Sequence, residues 1–309
     1  MREGRVLLIA NPAAQSGRGA QAAHIAHDLL VQWLGPEAVD FQLTDNPGHG
    51  AELGAQAPAA SYGTVLALGG DGLAHEVVNG LMRLPAAERP CFGLIPVGSG
   101  NDFARTLGMS ECVPDAIVQF LDATVEAFDV GLCNGVYFDE TLSFGLDAAI
   151  ALDTIERRKR TGKQGKALYL ASGIDQLLHH RDTFHVTAVL DGGRRIEGPV
   201  HQFAVQLGPT YGGGFLICPE ADPTDGFFDI CYADAPMNLL EATYKFMRAK
   251  EGRHTRFKDL HFERAETIDI SFDRRPPCQI DGEPLVADSY RITMEPRALE
   301  VLCAASPLI

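Results

Sequence analysis

The sequence predicts an α/β first part built on a parallel sheet, followed by an antiparallel β-sandwich. Up to about residue 127, short apolar runs alternate with helix-like stretches, the rhythm of parallel strands joined by crossover helices. Beyond that point, short alternating runs are divided by Gly, Asp and Asn with few helices between them, the texture of hairpins in a sandwich or barrel. No apolar run is long enough to span a membrane.

RVLLIA (5–10) reads as a buried strand ending at Asn11-Pro12, and 19–34 as an amphipathic helix. AVDFQLT (38–44) is a second strand, followed by a helix over 48–57. TVLALGG (64–70) is a third, with HEVVNGLMRL (75–84) as its helix. CFGLIPVG (91–98) is a fourth, and NDFARTLGM (101–109) opens the next helix. Sheets of this kind take ligands outside the carboxyl ends of their strands. In the later part, helical patterns survive near 167–179 and 237–250. The expected division is therefore 1–127, 128–296 and a terminal segment 297–309 that packs back on the first domain.

The 309 residues give room for two domains. A net charge of −15 excludes a molecule built as a whole to wrap nucleic acid or coat an anionic membrane. Against that background ERRKRTGKQGK (156–166) packs six basic residues into eleven positions. It is either a solvated stretch or a surface that meets anionic headgroups. The seven cysteines are odd in number and form no CxxC, which predicts reduced thiols in a cytoplasmic protein and no zinc site. His24, His27 and the pair His179-His180 read as surface or satisfied core residues.

Two stretches carry more glycine than a turn requires. LALGGDGLAHEVVNGL (66–81) follows the third strand, and LIPVGSGNDFAR (94–105) follows the fourth. Each is either a tight strand-to-helix turn or a phosphate-binding loop, with Asn101 or Asp102 as a helix cap in the second. Both fall on the ligand edge of the sheet, and that coincidence favours phosphate. Gly17-x-Gly19-x-x-Ala22, with Asp40 about twenty residues on, fits a loose dinucleotide fingerprint, but it starts too far beyond its strand. PEADPTDGFFD (219–229) sets oxygen donors densely enough for Mg²⁺ or Ca²⁺, or makes a solvated acidic turn. QIDGEPL (279–285) places Asp281 and Glu283 around a glycine, as a hairpin turn or as proton acceptors for a hydroxyl.

Taken in order, NPAAQSGRG (11–19), LGGDGLAHEVVNGL (68–81), PVGSGNDFAR (96–105), SFGLDAAI (143–150), GGGFLICPEADPTDGFFD (212–229) and IDGEPL (280–285) resemble the diacylglycerol kinase and sphingosine kinase family, closest to its bacterial lipid kinases. The resemblance implies an ATP-binding α/β domain and a β-sandwich domain. It places nucleotide contacts on Asn11, Thr44, Gly70, Asp71, Gly72, Leu73, Ala74, His75, Glu76 and Ser99, with Asp71 set for the metal that bridges the phosphates. It also implies a structural Mg²⁺ at Asp225, with carbonyl groups near Asp222 and Phe227, and the proton acceptor at Glu283. Leu73 stands where the family usually has threonine, and His75 where it prefers asparagine.

The expected activity is ATP- and Mg²⁺-dependent transfer of a phosphoryl group to a lipid primary hydroxyl, diacylglycerol first among acceptors. The alternatives are a non-catalytic lipid- or nucleotide-binding relative and an NAD-kinase-like enzyme. The expected partner is a lipid at a membrane surface, touched transiently from the cytoplasm through residues 157–166. No nucleic-acid partner is expected, and an oligomer is open.

Overall fold

The computed structural model describes residues 4–163, 166–179 and 182–305. Residues 164 and 165 of the basic stretch, His180 and the last residues, 306–309, lie outside that range. The chain divides into two compact units, 1–129 with 296–309, and 130–295.

The first unit holds β1 (Val6–Ala10), α1 (Ala14–Gly17), α2 (Gly19–Leu34), β2 (Val39–Leu43), α3 (His49–Ala55), β3 (Thr64–Gly69), α4 (Asp71–Leu81), β4 (Cys91–Pro96), α5 (Asp102–Thr106) and α6 (Val113–Gln119). Strands β1, β3 and β4 are buried along their whole length because helices cover both faces, so their sequences are continuously apolar. Their order is β4-β3-β1-β2, all parallel. The order reverses between β3 and β1, and the loops leaving those two strands flank the reversal. On α4, Ala74, Val77, Val78 and Leu81 are buried, the spacing of one helical face.

Strand β5 (Thr124–Cys133) carries the chain into the second unit and β15 (Ser289–Cys303) returns it. The end of β15 adds a fifth parallel strand to the first unit, with Val301 beside Phe92. Arg89 anchors that return, its Nη1 donating to the Ala298 carbonyl at 2.8 Å.

The second unit contains β6 (Val136–Phe138), β7 (Thr141–Gly145), α7 (Leu146–Thr161), α8 (Lys166–His179), β8 (Phe184–Leu190), β9 (Arg194–Gln206), β10 (Phe228–Asp234), α9 (Leu239–Ala249), β11 (Leu260–Ala265), β12 (Thr267–Phe272), β13 (Cys278–Ile280) and β14 (Glu283–Pro284). Its strand pairs are antiparallel. Alternation along β9 and β10 sorts the side chains. Phe203, Val205, Phe228 and Ile230 enter the sandwich core, while Ala204, Cys231 and Ala233 face a layer made by α7, α8 and α9.

Helix α7 is, with α1 and α6, an element that the sequence reading lacks. SFGLDAAI looks like one more strand-like run, but the chain leaves β7 at Gly145 and turns straight into helix. Gly145 has φ 82°, and a Cβ there would run into the His201 carbonyl. That close approach is invisible in the local pattern.

Candidate functional site

In the first unit, the loop after β3 and the loop after β4 meet backbone to backbone. A Cβ on Gly70 would lie 2.9 Å from the Gly98 Cα. Asn101, held in the left-handed region at φ 56°, locks the second loop, its Oδ1 accepting from the Gly98 N–H at 2.8 Å. Helix α4 starts at this junction, and no side chain caps its N-terminus. Two carboxylates converge beside it. A Cβ on Gly100 would meet Asp71 Oδ2 at 2.6 Å and Asp102 Oδ2 at 3.2 Å. Withdrawal from water, and then the charge of Asp102, push the Asp71 carboxyl above its ordinary range. Arg105 offsets part of this from the far side, donating to Asp102 Oδ1 at 2.8 Å.

The other sequence-chosen residues of this unit fall into different roles. Asn11 ends β1, its N–H donating to the Leu68 carbonyl at 3.0 Å and its Oδ1 accepting from Ala13 N–H. Thr44, at the end of β2, is tied to the Ala10 carbonyl through its N–H at 2.9 Å. Ser99 lies in the second glycine loop, and exposed Gly72 in the first turn of α4. Glu76 caps α3, its two oxygens accepting from Gly48 and Gly50 N–H at 2.8 and 2.9 Å. Leu73 turns inward, since a Cβ on Gly50 or on Gly69 would strike its side chain. Ala74 and His75 are also buried, and Asn79 donates to the His75 carbonyl at 2.9 Å. Asp40, the acid of the dinucleotide fingerprint, is taken by Arg5 and by the Tyr62 hydroxyl at 2.6 Å.

In the second unit, Asp281 and Gly282 form the two-residue turn between β13 and β14, with φ 46° and 88°. The Asp281 carboxylate accepts from the N–H groups of Asp139, Glu140 and Thr141 at 3.0, 3.1 and 2.8 Å. Gln279 accepts from Gly282 N–H and holds Ser143 in turn. Glu283 leaves this fixed turn with an exposed carboxylate.

The acidic turn is partly self-satisfied. Asp222 Oδ1 accepts from Thr224, and Asp225 Oδ1 accepts from Phe227 N–H at 3.1 Å. Arg264 donates to Asp225 Oδ2 and lies 4.8 Å from the centre of the Phe227 ring. Yet Asp229 Oδ2 is buried without a partner, and burial pushes that carboxyl up to about 6.

Beneath α7, α8 and α9 lies a cavity of about 60 Å³, lined mainly by apolar side chains such as Leu146, Ile150, Phe215 and Phe246. Asp147 is its buried acid. Oδ2 has no partner, and burial raises the carboxyl to about 7. His201 stands beside it, with Nε2 accepting from Met237 N–H and Nδ1 facing the Asp182 carbonyl.

Residues 5–133 match the family model of the diacylglycerol kinase catalytic domain, and residues 140–303 that of the YegS C-terminal NAD kinase beta sandwich-like domain. The chain belongs to this bacterial lipid kinase family. It is 29% identical to a "Diacylglycerol kinase" of Bacillus subtilis over 280 residues, covering 90% of this chain and 89% of that one. It is 30% identical to a "Probable lipid kinase YegS-like" of Pseudomonas fluorescens over 273 residues, 88% of each. In fold it resembles the crystal structure of a diacylglycerol kinase from Bacillus anthracis, with TM-score 0.73 and 21% identity over 97% of both chains.

This lipid kinase has no described helix long and apolar enough to cross a membrane. Two donor sets fit a hard cation by their own chemistry. Asp71 and Asp102 bring carboxylate oxygens to one spot, with Arg105 offsetting part of their charge from the far side, and Asp229 Oδ2 is buried in the acidic turn with no hydrogen-bond partner. Sequence reasoning treated Asp102 as a helix cap. Its position directly after a second glycine loop was the available signal. Asp147 lies within SFGLDAAI, one of the stretches that carry the resemblance, but the sequence reading assigned it no role, because its burial depends on helices from later in the chain.

Proposed function

We propose that this lipid kinase moves the terminal phosphoryl group of ATP to a primary hydroxyl of a lipid, with Mg²⁺ as cofactor and diacylglycerol as the acceptor to test first. The observation that carries the reading is the contact of Gly70 with Gly98, which sets two glycine loops, a helix N-terminus and two carboxylates around one spot. Backbone N–H groups without flanking side chains suit phosphate oxygens. Mg²⁺, held by Asp71 and Asp102, would neutralise phosphate charge. Asn11, Thr44, Gly72 and Ser99 are assigned to the nucleotide. Leu73 and Ala74 act through the backbone, and His75 and Glu76 through the packing of α4.

Glu283 is assigned as proton acceptor because it projects from a rigid hairpin into solvent, and Asp281 as the residue that fixes that hairpin. Asp222, Asp225 and Phe227 are assigned to a structural Mg²⁺, which competes with Arg264 for Asp225. The name of the Bacillus subtilis relative supports diacylglycerol.

Incubation with ATP, Mg²⁺ and diacylglycerol, followed by mass spectrometry of the extracted lipid, tests the reading. A lipid heavier by one phosphoryl group, formed only with Mg²⁺, is the expected product. ATP turnover that depends on NAD and ignores every lipid would replace this reading with the nucleotide-kinase one.

A further inference from the structure

We infer that the outer face of α8 and α9 docks this protein on an anionic bilayer. Ala167, Ala171, Ile174 and Leu178 are exposed on α8, at the four- and three-residue steps that place them on one face. Leu240, Tyr244 and Met247 repeat the pattern on α9, and Leu240 is 83% exposed. The helices pack together where Gly173 meets the Phe246 ring, and both stripes lie on residues that the cavity lining leaves out. The inner faces of the same helices line the cavity through Leu177, Ala242 and Phe246. A helix that only roofs a core needs one apolar face, and these have two.

The charges around the stripes select the partner. The chain carries −15, yet residues 239–259 hold six basic and three acidic residues, with Lys245 buried and paired to Glu241 and Asp259, and residues 156–163 hold five basic and one acidic. Lys159, Arg160, Lys250, Arg256 and Lys258 are exposed. Helix α7, which bears the first group, packs on α8. Apolar residues flanked by cations are what an interfacial helix presents to headgroups above and acyl chains below. The inference rests on the lipid-kinase reading for its purpose, since the acceptor lies in such a surface and the helices that meet it also roof the cavity.

Sedimentation of the full chain with phosphatidylcholine vesicles, with and without phosphatidylglycerol, tests it. The expected result is binding to the anionic vesicles that weakens as salt rises. Leu240→Asp with Met247→Asp should lower the partition coefficient at least about tenfold, with an unchanged thermal midpoint. Ile174→Ser with Leu178→Ser should lower it without adding charge, and Val118→Asp, at an exposed position of α6, should leave it alone. A wild-type chain that ignores the vesicles overturns the inference, as do helix variants that bind like wild type. Loss of a dimer in place of loss of vesicle binding would make the face a contact between copies. Turnover on a short-chain, monomeric acceptor is measured separately. If turnover is absent while vesicle binding behaves as stated, the kinase reading fails and the docking surface stands.

Discussion

Gly70 and Gly98 touch through their Cα atoms, each occupying the space that a Cβ on the other would need. The contact aligns two loops that leave adjacent strands, and it leaves no tolerance for a methyl group. Gly98→Ala should cost about 1–3 kcal/mol, the usual penalty of overpacking, and should weaken ATP binding beyond detection. Chemical denaturation and an ATP titration by calorimetry measure the two effects. Wild-type ATP affinity in a folded Gly98→Ala chain would separate the loop contact from the nucleotide.

Leu73 occupies the position where a hydroxyl is usual, but its side chain fills the gap over Gly50 and Gly69. Leu73→Thr removes buried apolar atoms and adds a hydroxyl to an apolar site. A loss of about 2–4 kcal/mol follows, with no improvement in the apparent KM for ATP. Denaturant midpoints and steady-state kinetics on the same preparation decide it. A lower KM at unchanged stability would assign the side chain to the nucleotide.

Glu283 and Asp281 separate by what each variant damages. Glu283→Gln keeps the shape of an exposed side chain and should cut kcat about 10²–10⁴-fold, the worth of a general base, at unchanged stability and ATP affinity. Asp281→Asn disturbs three charge-assisted backbone hydrogen bonds. It should cost at least about 1.5–3 kcal/mol through the fold. Near-normal turnover of folded Glu283→Gln would remove that residue from the chemistry.

Asp147 makes stability depend on pH. Its carboxyl rises from 3.8 to about 7 on folding, so the fold favours the protonated form. That contribution is complete below pH 3.8 and is lost as pH rises through about 7. Among its neighbours, burial raises the Cys218 and Cys231 thiols and lowers His254, His201 Nε2 accepts from Met237 N–H, and Lys245 is paired with Glu241 and Asp259. Tyr169 also lines the cavity. Asp147→Asn should therefore raise the melting temperature at pH 8 and lose that advantage by pH 4, with an upper bound of about 4 kcal/mol. A gain independent of pH, read from melting curves across that range, would show that the carboxyl does not titrate as stated.

The sequence by itself determined what local periodicity and turn chemistry can encode. Continuous apolar runs marked β1, β3 and β4 as buried parallel strands, Asp281-Gly282 marked a hairpin, and the paired glycine loops fell at the carboxyl ends of β3 and β4. These signals are local because backbone conformation and face alternation are set within a few residues. Only the tertiary structure decided that β15 closes the first sheet beside β4, that Leu73 packs inward, and that Glu76 caps α3. The same holds for Asp102 beside Asp71, and for Asp147 buried under helices from later in the chain. Each of these depends on which distant residue lies opposite. Burial, desolvation and carboxylate repulsion are properties of that neighbourhood, and no stretch of sequence contains it.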